Sequence, residues 1–544
     1  MPVARVVGME TEFGILNPHD PKANVLALCA QIVEAYGAAG SASRPGKPVP
    51  WDYKGENPLN DARGYKIRRS EAHPSLLTDD PNRPAPSGED SPAAAAMAGW
   101  GQVRRPSAME LKLPKAPNAV LTNGARFYVD HAHPEYSAPE VNSPREAVLW
   151  DRAGEYIARE AMDLCAVQGV PAVLYKNNLD GKGSAYGTHE NYLMDREVPF
   201  ADIVSVLTPF FVTRPIICGA GRVGIGKRSE ESGFQISQRA DYVENDIGIE
   251  TTFNRPIINT RDEAHADEMQ YRRLHVINGD ANQFDVSNLL KVGTTSLVIW
   301  LIEQLHLAPV ELRHRYASKL EKVRLAEPVS ATQAVSQDLS CAAPLEMANG
   351  GRMSSADIQQ VYLDLLREAH ADLAKSDEET SQVLTLWQEV LDALREDVTK
   401  AAQRVEWVAK WQMLEQLRAR SGVTWGNDKL RAFDLQWHDL RPERSIVNRL
   451  DQAGRVERLF TPAQVLHAVT HAPETTRAYL RGELIRRFPR AVTAAAWEAI
   501  TLDIPGREHL LRMPLQHPTR ATKALVGDIL ERSDSIGEFV AQLA

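Results

Sequence analysis

Residues 6–15 read VVGMETEFGI, and their alternation decides what kind of fold follows. Successive side chains of a strand point to opposite faces. Val7, Met9, Thr11, Phe13 and Ile15 share one face suited to a core, while Gly8, Glu10, Glu12 and Gly14 share the other. An isolated E-x-E is ordinarily the solvated outer face of a strand. The alternative is a face for a hard cation, because Mg²⁺ prefers carboxylate oxygens and commonly touches substrate phosphates as well. Glycines beside the acids leave room for such an approach.

Other stretches bear on that choice. FYVDHAHPEYSAPE (127–140) places Tyr128 and Asp130 on one strand face, turns at Pro134 and continues to Glu135 and Glu140, with His131 and His133 close by. Oxygen donors dominate and no H-E-x-x-H is present, which argues against zinc. YGTHENYL (186–193) puts His189 and Asn191 on one face, and further strand-like runs supply Arg239, Arg261, Arg272, Arg273 and His275. Any one arginine reads as a surface ion pair. Several on successive strands beside carboxylates describe a sheet that could cradle Mg²⁺–ATP, because polyphosphate needs both a cation and arginine forks.

The chain has 544 residues, 43% hydrophobic and 25% charged, an ordinary soluble composition. Its length suggests about three domains. A net charge of −10 argues against a general nucleic-acid binder. The four cysteines form no C-x-x-C pair, so a reducing cytoplasm is expected. The N-terminus lacks the apolar core of a signal peptide. The longest apolar run, TTSLVIWLIEQL (294–305), is broken by Glu303 and reads as too short for a bilayer.

Residues 21–39 show helical spacing, and 40–118 turn rich in Pro, Gly, Ser and Asp, the mark of a mobile insertion. The pattern becomes mainly helical after about 288, with one long helical stretch over 381–419. Residues 475–544 read as a small C-terminal domain after a catalytic unit over 1–474. Strands first and helices after predict an α+β fold with an antiparallel sheet. CGAGRVGIGK (218–227) contains G-x-G-x-x-G and nearly matches a phosphate loop. Both motifs need a helix directly after them, and RSEESGFQISQ reads as turn then strand, so a glycine-rich turn between antiparallel strands is expected.

Taken together, GMETEFGI, LTNGARFYVDHAHPEYSAPEV, YKNNLDGKGSAYGTHENYL, RVGIG, NTRDEAHAD, YRRLHVINGDAN and VEWVAKW resemble the Pup ligase/deamidase family, within the glutamine-synthetase-like carboxylate–amine ligase superfamily. The resemblance implies a large α+β domain whose curved antiparallel sheet is packed by helices, plus a small C-terminal domain. One branch of the family ligates the ubiquitin-like modifier Pup to lysines. The other deamidates Pup's C-terminal glutamine and cleaves Pup from conjugates bound for the proteasome. The wording of YVDHAHPEYSAPE and the insertion carrying WDYKGENPLNDARG resemble the second.

By that resemblance Asp130 matches the catalytic aspartate. Glu10, Tyr128, Glu135, His189 and His275 fall at Mg²⁺ contacts, and Arg126, Ser137, Asn191 and Trp407 at nucleotide contacts. Arg239 and Arg261 match arginines near the terminal phosphate and the substrate carboxylate. Glu12 and Glu140 are site acids without an assigned role. The implied cofactors are Mg²⁺ and ATP, the latter not consumed in each turnover, and the implied partners are Pup and pupylated proteins. No nucleic acid or membrane is expected, and a monomer is. Pup is implied to be acidic and disordered, which calls for a basic groove. RAYLRGELIRRFPR (477–490) is one candidate, with a solvated helix face as the alternative. The insertion is a candidate lid. Rival readings are a Pup–protein ligase and a silent adaptor that binds ATP and Pup.

Overall fold

The structure is a computed structural model that describes residues 2–39, 49–77, 100–107, 116–373 and 377–543. The alternating stretch at the N-terminus forms β1 (Val7–Glu12), a central strand of a six-stranded sheet. Its companions are β2 (Asn118–Val120), β3 (Arg126–Asp130), β4 (His133–Ser137), β5 (Thr188–Asp195) and β6 (Tyr271–Val276), in the order β6-β5-β1-β4-β3-β2. Every pairing in it is antiparallel. Cross-strand partners share a face. Glu10 lies opposite His189 and Ser137, Glu12 opposite Glu135, Tyr128 opposite Glu135, and Asn191 opposite His275.

The opposite face carries Val7, Met9, Phe127, Tyr136 and Leu274 into the main core. It packs on α1 (Val25–Ala39), α2 (Pro144–Val167) and α3 (Asp285–Leu307). The start of α2 is set by Ser143, whose side chain accepts from Glu146 N, with Pro144 in the first turn. The apolar run of the sequence belongs to α3. That helix is long enough to cross a bilayer, with a mean hydropathy of 1.2, but 94% of the stretch is buried inside the protein. It is a core helix.

Two sequence expectations need correction. The stretch 381–419 is not one helix: it divides into Glu378–Glu396, a short 3-10 turn at Val398–Ala401, and Glu406–Ser421. Asp397 makes the break, because its side chain accepts from Thr399 N and starts the new turn. The described pieces of 40–118 are docked rather than free. Gly101–Val103 pairs with a C-terminal strand, Val49 and Trp51 enter a hydrophobic core, and residues 60–62 run against 260–262 through Ala62 N to Thr260 O and Asp262 N to Asn60 O. Residues 40–48, 78–99 and 108–115 lie outside the described residues.

The glycine-rich stretch forms a hairpin, with Arg222–Ile225 antiparallel to Glu231–Gln235 and no helix directly after it. Neither nucleotide fingerprint is built there. The C-terminal stretch contributes α4 (Ala478–Arg487) and strands β7 (Val492–Ala495), β8 (Ala499–Leu502) and β9 (Leu510–Pro514), around a core that includes Leu480, Leu484, Ile500 and Phe539. Four of the five arginines of 477–490 are engaged within the protein, and Arg490 is exposed. Arg477 and Arg481 are buried on Glu140, and Arg486 and Arg487 bind Glu483.

Candidate functional site

The polar face of the sheet collects the acids and histidines singled out in the sequence. Glu10 Oε1 accepts from Asn191 Nδ2 at 3.0 Å, and His189 Nδ1 lies 3.1 Å from Glu10 Oε2. His275 Nε2 lies 3.9 Å from the same oxygen, and its ring meets His189 edge-on with centroids 4.9 Å apart. Glu10, His189 and His275 can each bring one donor atom within 4.8 Å of the others, and Glu12, Asp130 and Glu135 do the same beside them. Gly187 is required where these groups meet: a Cβ there would lie 2.3 Å from His189 Nε2 and 2.6 Å from Glu12 Oε1.

The charges on this face are unevenly settled. Burial pushes the Glu12 carboxyl up, but His133, whose Nδ1 is 3.1 Å from Glu12 Oε2, together with His189 and the Gly187 N–H, brings it down to about 2. For Glu10, His189, Arg273 and Asn191 outweigh burial and lower it. Glu135 goes the other way. Burial comes first, then the charges of Asp130, Glu10 and Glu12, and its carboxyl is held well above the usual range. His275 is pushed well below the ordinary imidazole value by burial and by Arg273, and both of its ring nitrogens are buried without a hydrogen-bond partner. An orphaned ring nitrogen with its lone pair and crowded acids are what a bound cation relieves. The mixed oxygen and imidazole set fits a divalent ion.

The arginines stand around this cluster. Arg126 is clasped between Trp51 and Tyr128, at 4.2 and 3.7 Å from the ring centroids, and donates to Asn118 Oδ1 and Tyr53 Oη. Burial and then the Glu135 charge raise the Tyr128 phenol well above its ordinary value. Ser137 is buried and donates to Glu135 Oε1 at 3.3 Å. Arg261 is buried with an unpartnered Nε. Burial lowers it most, with the Glu263, Asp130 and Glu10 charges opposing. Arg239 donates to Tyr186 O at 2.9 Å and is brought down to about 9 by burial and by Arg255.

One of the sequence candidates, Trp407, lies elsewhere, and another, Glu140, borders the site with its carboxylate taken up by arginines. Trp407 is fully buried, and its indole N–H donates to Ile216 O and its backbone N–H to Gly219 O, so it belongs to the helical core and not to this face. Glu140 is gripped by Arg477, at 2.6 Å, and by Arg481, which hold its carboxyl at about 2 against burial. It joins the sheet to the C-terminal elements.

A cavity opens beside Glu10, Ser137, Glu140 and Asn191, and its walls add Arg273, read in the sequence only as a strand arginine, Arg477 of the basic stretch 477–490, His265, and Trp497, which the sequence did not mark. Arg273 Nη1 donates to Asn191 Oδ1 at 2.6 Å. His265 adopts φ 49 and is pushed well below its ordinary value by burial and then by Arg273, Arg477 and Arg261. It lies against Glu263 and Glu498, whereas His275 takes the place beside Glu10. Trp497 meets Trp51 edge-on at 5.0 Å. Nothing in the local sequence around Trp497 announces a site residue, because the fold of the C-terminal strands alone brings it there.

Comparison with known proteins places this geometry. A family model described as Pup-ligase protein matches residues 5–501. The chain is 45% identical over 545 residues to a depupylase of Acidothermus cellulolyticus, covering 99% of each chain. It is 43% identical over 541 residues to a Pup deamidase/depupylase of Mycolicibacterium smegmatis, again covering 99% of each. Among solved structures, the Pup ligase PafA in complex with ADP aligns with a TM-score of 0.67 at 32% identity, over 78% of this chain and 91% of that one.

Proposed function

This chain belongs to the Pup-ligase family, and from that premise we propose that it is a hydrolase of Pup: it deamidates the C-terminal glutamine of Pup and cleaves the isopeptide bond that joins Pup to lysines. The observation that carries the choice of branch is the full-length likeness to deamidase/depupylases, which exceeds the likeness to the ligase in sequence identity.

The nucleotide is read as a bound cofactor, since hydrolysis of an amide needs no free-energy input. The cavity beside Glu10 suits it: Arg273 offers charge to phosphates and Trp497 an aromatic wall, with Ser137 and Asn191 at the sheet side. Arg126 is the other nucleotide contact of this reading, and Arg239 and Arg261 are assigned to the terminal phosphate and the substrate carboxylate. Glu10, His189, His275, Glu135 and Tyr128 are the residues that would hold Mg²⁺. When bound, the ion supplies positive charge that offsets the crowded carboxylates and the phosphate oxygens.

Asp130 stands at the end of β3, half exposed, where a substrate carbonyl can reach it. It acts on the γ-carbonyl of the terminal residue, by direct attack or by taking a proton from water. In either course the C–N bond breaks, a C–O bond forms from water, and the leaving amine gains the water's proton. Arg261, whose charge acts on that of Asp130, is the arginine that balances charge developing on the carbonyl oxygen in this reading.

Mass spectrometry of Pup ending in glutamine, incubated with the protein, Mg²⁺ and ATP beside a Pup conjugate, tests this reading. The expected result is nucleotide-dependent loss of the amide and release of the conjugated protein. Attachment of Pup ending in glutamate to lysine, with ATP consumed, would give the ligase reading instead. Binding of both ligands without any reaction would give the adaptor.

A further inference from the structure

We propose that His131 is a positioning residue for Asp130, fixing the rotation of its carboxylate through an Nδ1–H hydrogen bond; the inference rests on the hydrolase reading above. Asp130 pairs with His133, so the turn between β3 and β4 consists of His131 and Ala132 alone. His131 takes φ 50 at the first of these two positions. In tight hairpins that position with positive φ favours glycine, then asparagine, and a histidine there carries some strain. Strained backbone persists where the surroundings over-determine it, and it gathers at sites where placement matters.

The surroundings here do so from two sides. The His131 Nδ1–H donates to Asp130 Oδ2 at 2.9 Å. Below the turn, the buried Cys29 thiol donates to Ala132 O at 3.3 Å and ties the tip to α1. Asp130 sits at a strand end with its side chain 35% exposed, where a carboxylate is otherwise free to rotate. A bond at Oδ2 stops that rotation and leaves Oδ1 as the free oxygen. An attacking carboxylate, or one that takes a proton from water, needs such an orientation. His131 is outside both donor clusters and outside the cavity lining, so its action on the reaction passes through Asp130.

Two variants of the full chain, assayed with Mg²⁺, ATP and Pup ending in glutamine, separate the side chain from the backbone. His131→Gly keeps the left-handed turn and removes the donor. His131→Asn tolerates the same φ and offers an Nδ2–H in place of Nδ1–H. The expected result is that His131→Gly lowers kcat by about tenfold or more while KM and nucleotide affinity stay within about twofold, and that His131→Asn recovers most of the loss. Wild-type kcat in His131→Gly would overturn the proposal and leave His131 as a turn residue. A His131→Asn variant as slow as His131→Gly would overturn it too, since the donor would then not be what His131 supplies. Wild-type protein that leaves Pup and conjugate intact is a separate outcome, which removes the hydrolase reading and this inference with it.

Discussion

The two faces of the central sheet carry buried charge in opposite ways. On the helix side, Glu190 of β5 is held by both terminal nitrogens of Arg214, at 2.7 and 2.8 Å. Next to it Lys176 bridges Asp151 and Glu155 of α2, and Arg152 meets Asp285 of α3. Each acid there has a cation in direct contact. On the other side, reached by moving one residue along the same strand to His189 or Asn191, four carboxylates crowd one another and His275 has no hydrogen-bond partner. Balanced buried charge on one face is architecture. Unbalanced charge on the other is stability given up for binding.

Four measurements would break or sharpen that contrast. The largest effect is expected from Asp130→Asn, which should lower turnover by at least about a thousandfold. The thermal midpoint and nucleotide binding should stay near wild type, because Asp130 supports chemistry and not packing. Near-normal turnover would remove Asp130 from its assigned role. Next is Arg214→Met on the balanced face. Leaving Glu190 buried without its partner should cost about 3–5 kcal/mol in urea unfolding. A cost below about 1 kcal/mol would mean the two faces differ less than their geometry says.

Third is the pH dependence of the Glu140 clamp. Arg481 and Arg477 overcome burial and depress this carboxyl from 4.5 to about 2. A depressed folded-state value gives stability that is complete above the unfolded value of 4.5 and is lost as the pH falls toward about 2. Unfolding at about pH 3 should therefore show a loss on the order of 2 kcal/mol relative to about pH 6, beyond whatever loss Glu140→Gln shows over the same interval. Equal losses in both proteins would rule the clamp out as the source. The smallest effect is expected from Glu135→Gln. Removing one of the crowded acids should stabilise the protein in EDTA by up to about 1 kcal/mol, while the rise in melting temperature on adding Mg²⁺ shrinks. Destabilisation in EDTA would argue that the acids are not in conflict.

Much of the polar face was legible because strand alternation is strict. Once residues 6–15 are read as a strand, Glu10 and Glu12 must share a face, and antiparallel pairing brings Glu135, His189 and Ser137 opposite them. What alternation does not carry is contact between segments far apart in sequence. Trp407 and Trp497 both lie in short apolar surroundings, and only the packing tells that the first is core and the second a cavity wall. Glu140 looked like a site acid because it follows Glu135 closely, but its partners lie 337 and 341 residues away. For the same reason the arginines of 477–490 looked free. The Pro- and Gly-rich composition of 40–118 hid short pieces that pair with distant strands, since a three-residue edge strand has too few residues to show a period.

The Glu140 clamp also sets a clock on biosynthesis. Translation adds residues in order, so this carboxylate is made long before Arg477 and Arg481. At bacterial rates the 337-residue gap to Arg477 takes roughly 20 to 70 s. Until then the sheet holds an acid that cannot be buried without a counter-charge. Chains that stop before residue 477 lack both arginines, and Glu140 then has neither of the counter-charges with which it is buried in the full chain.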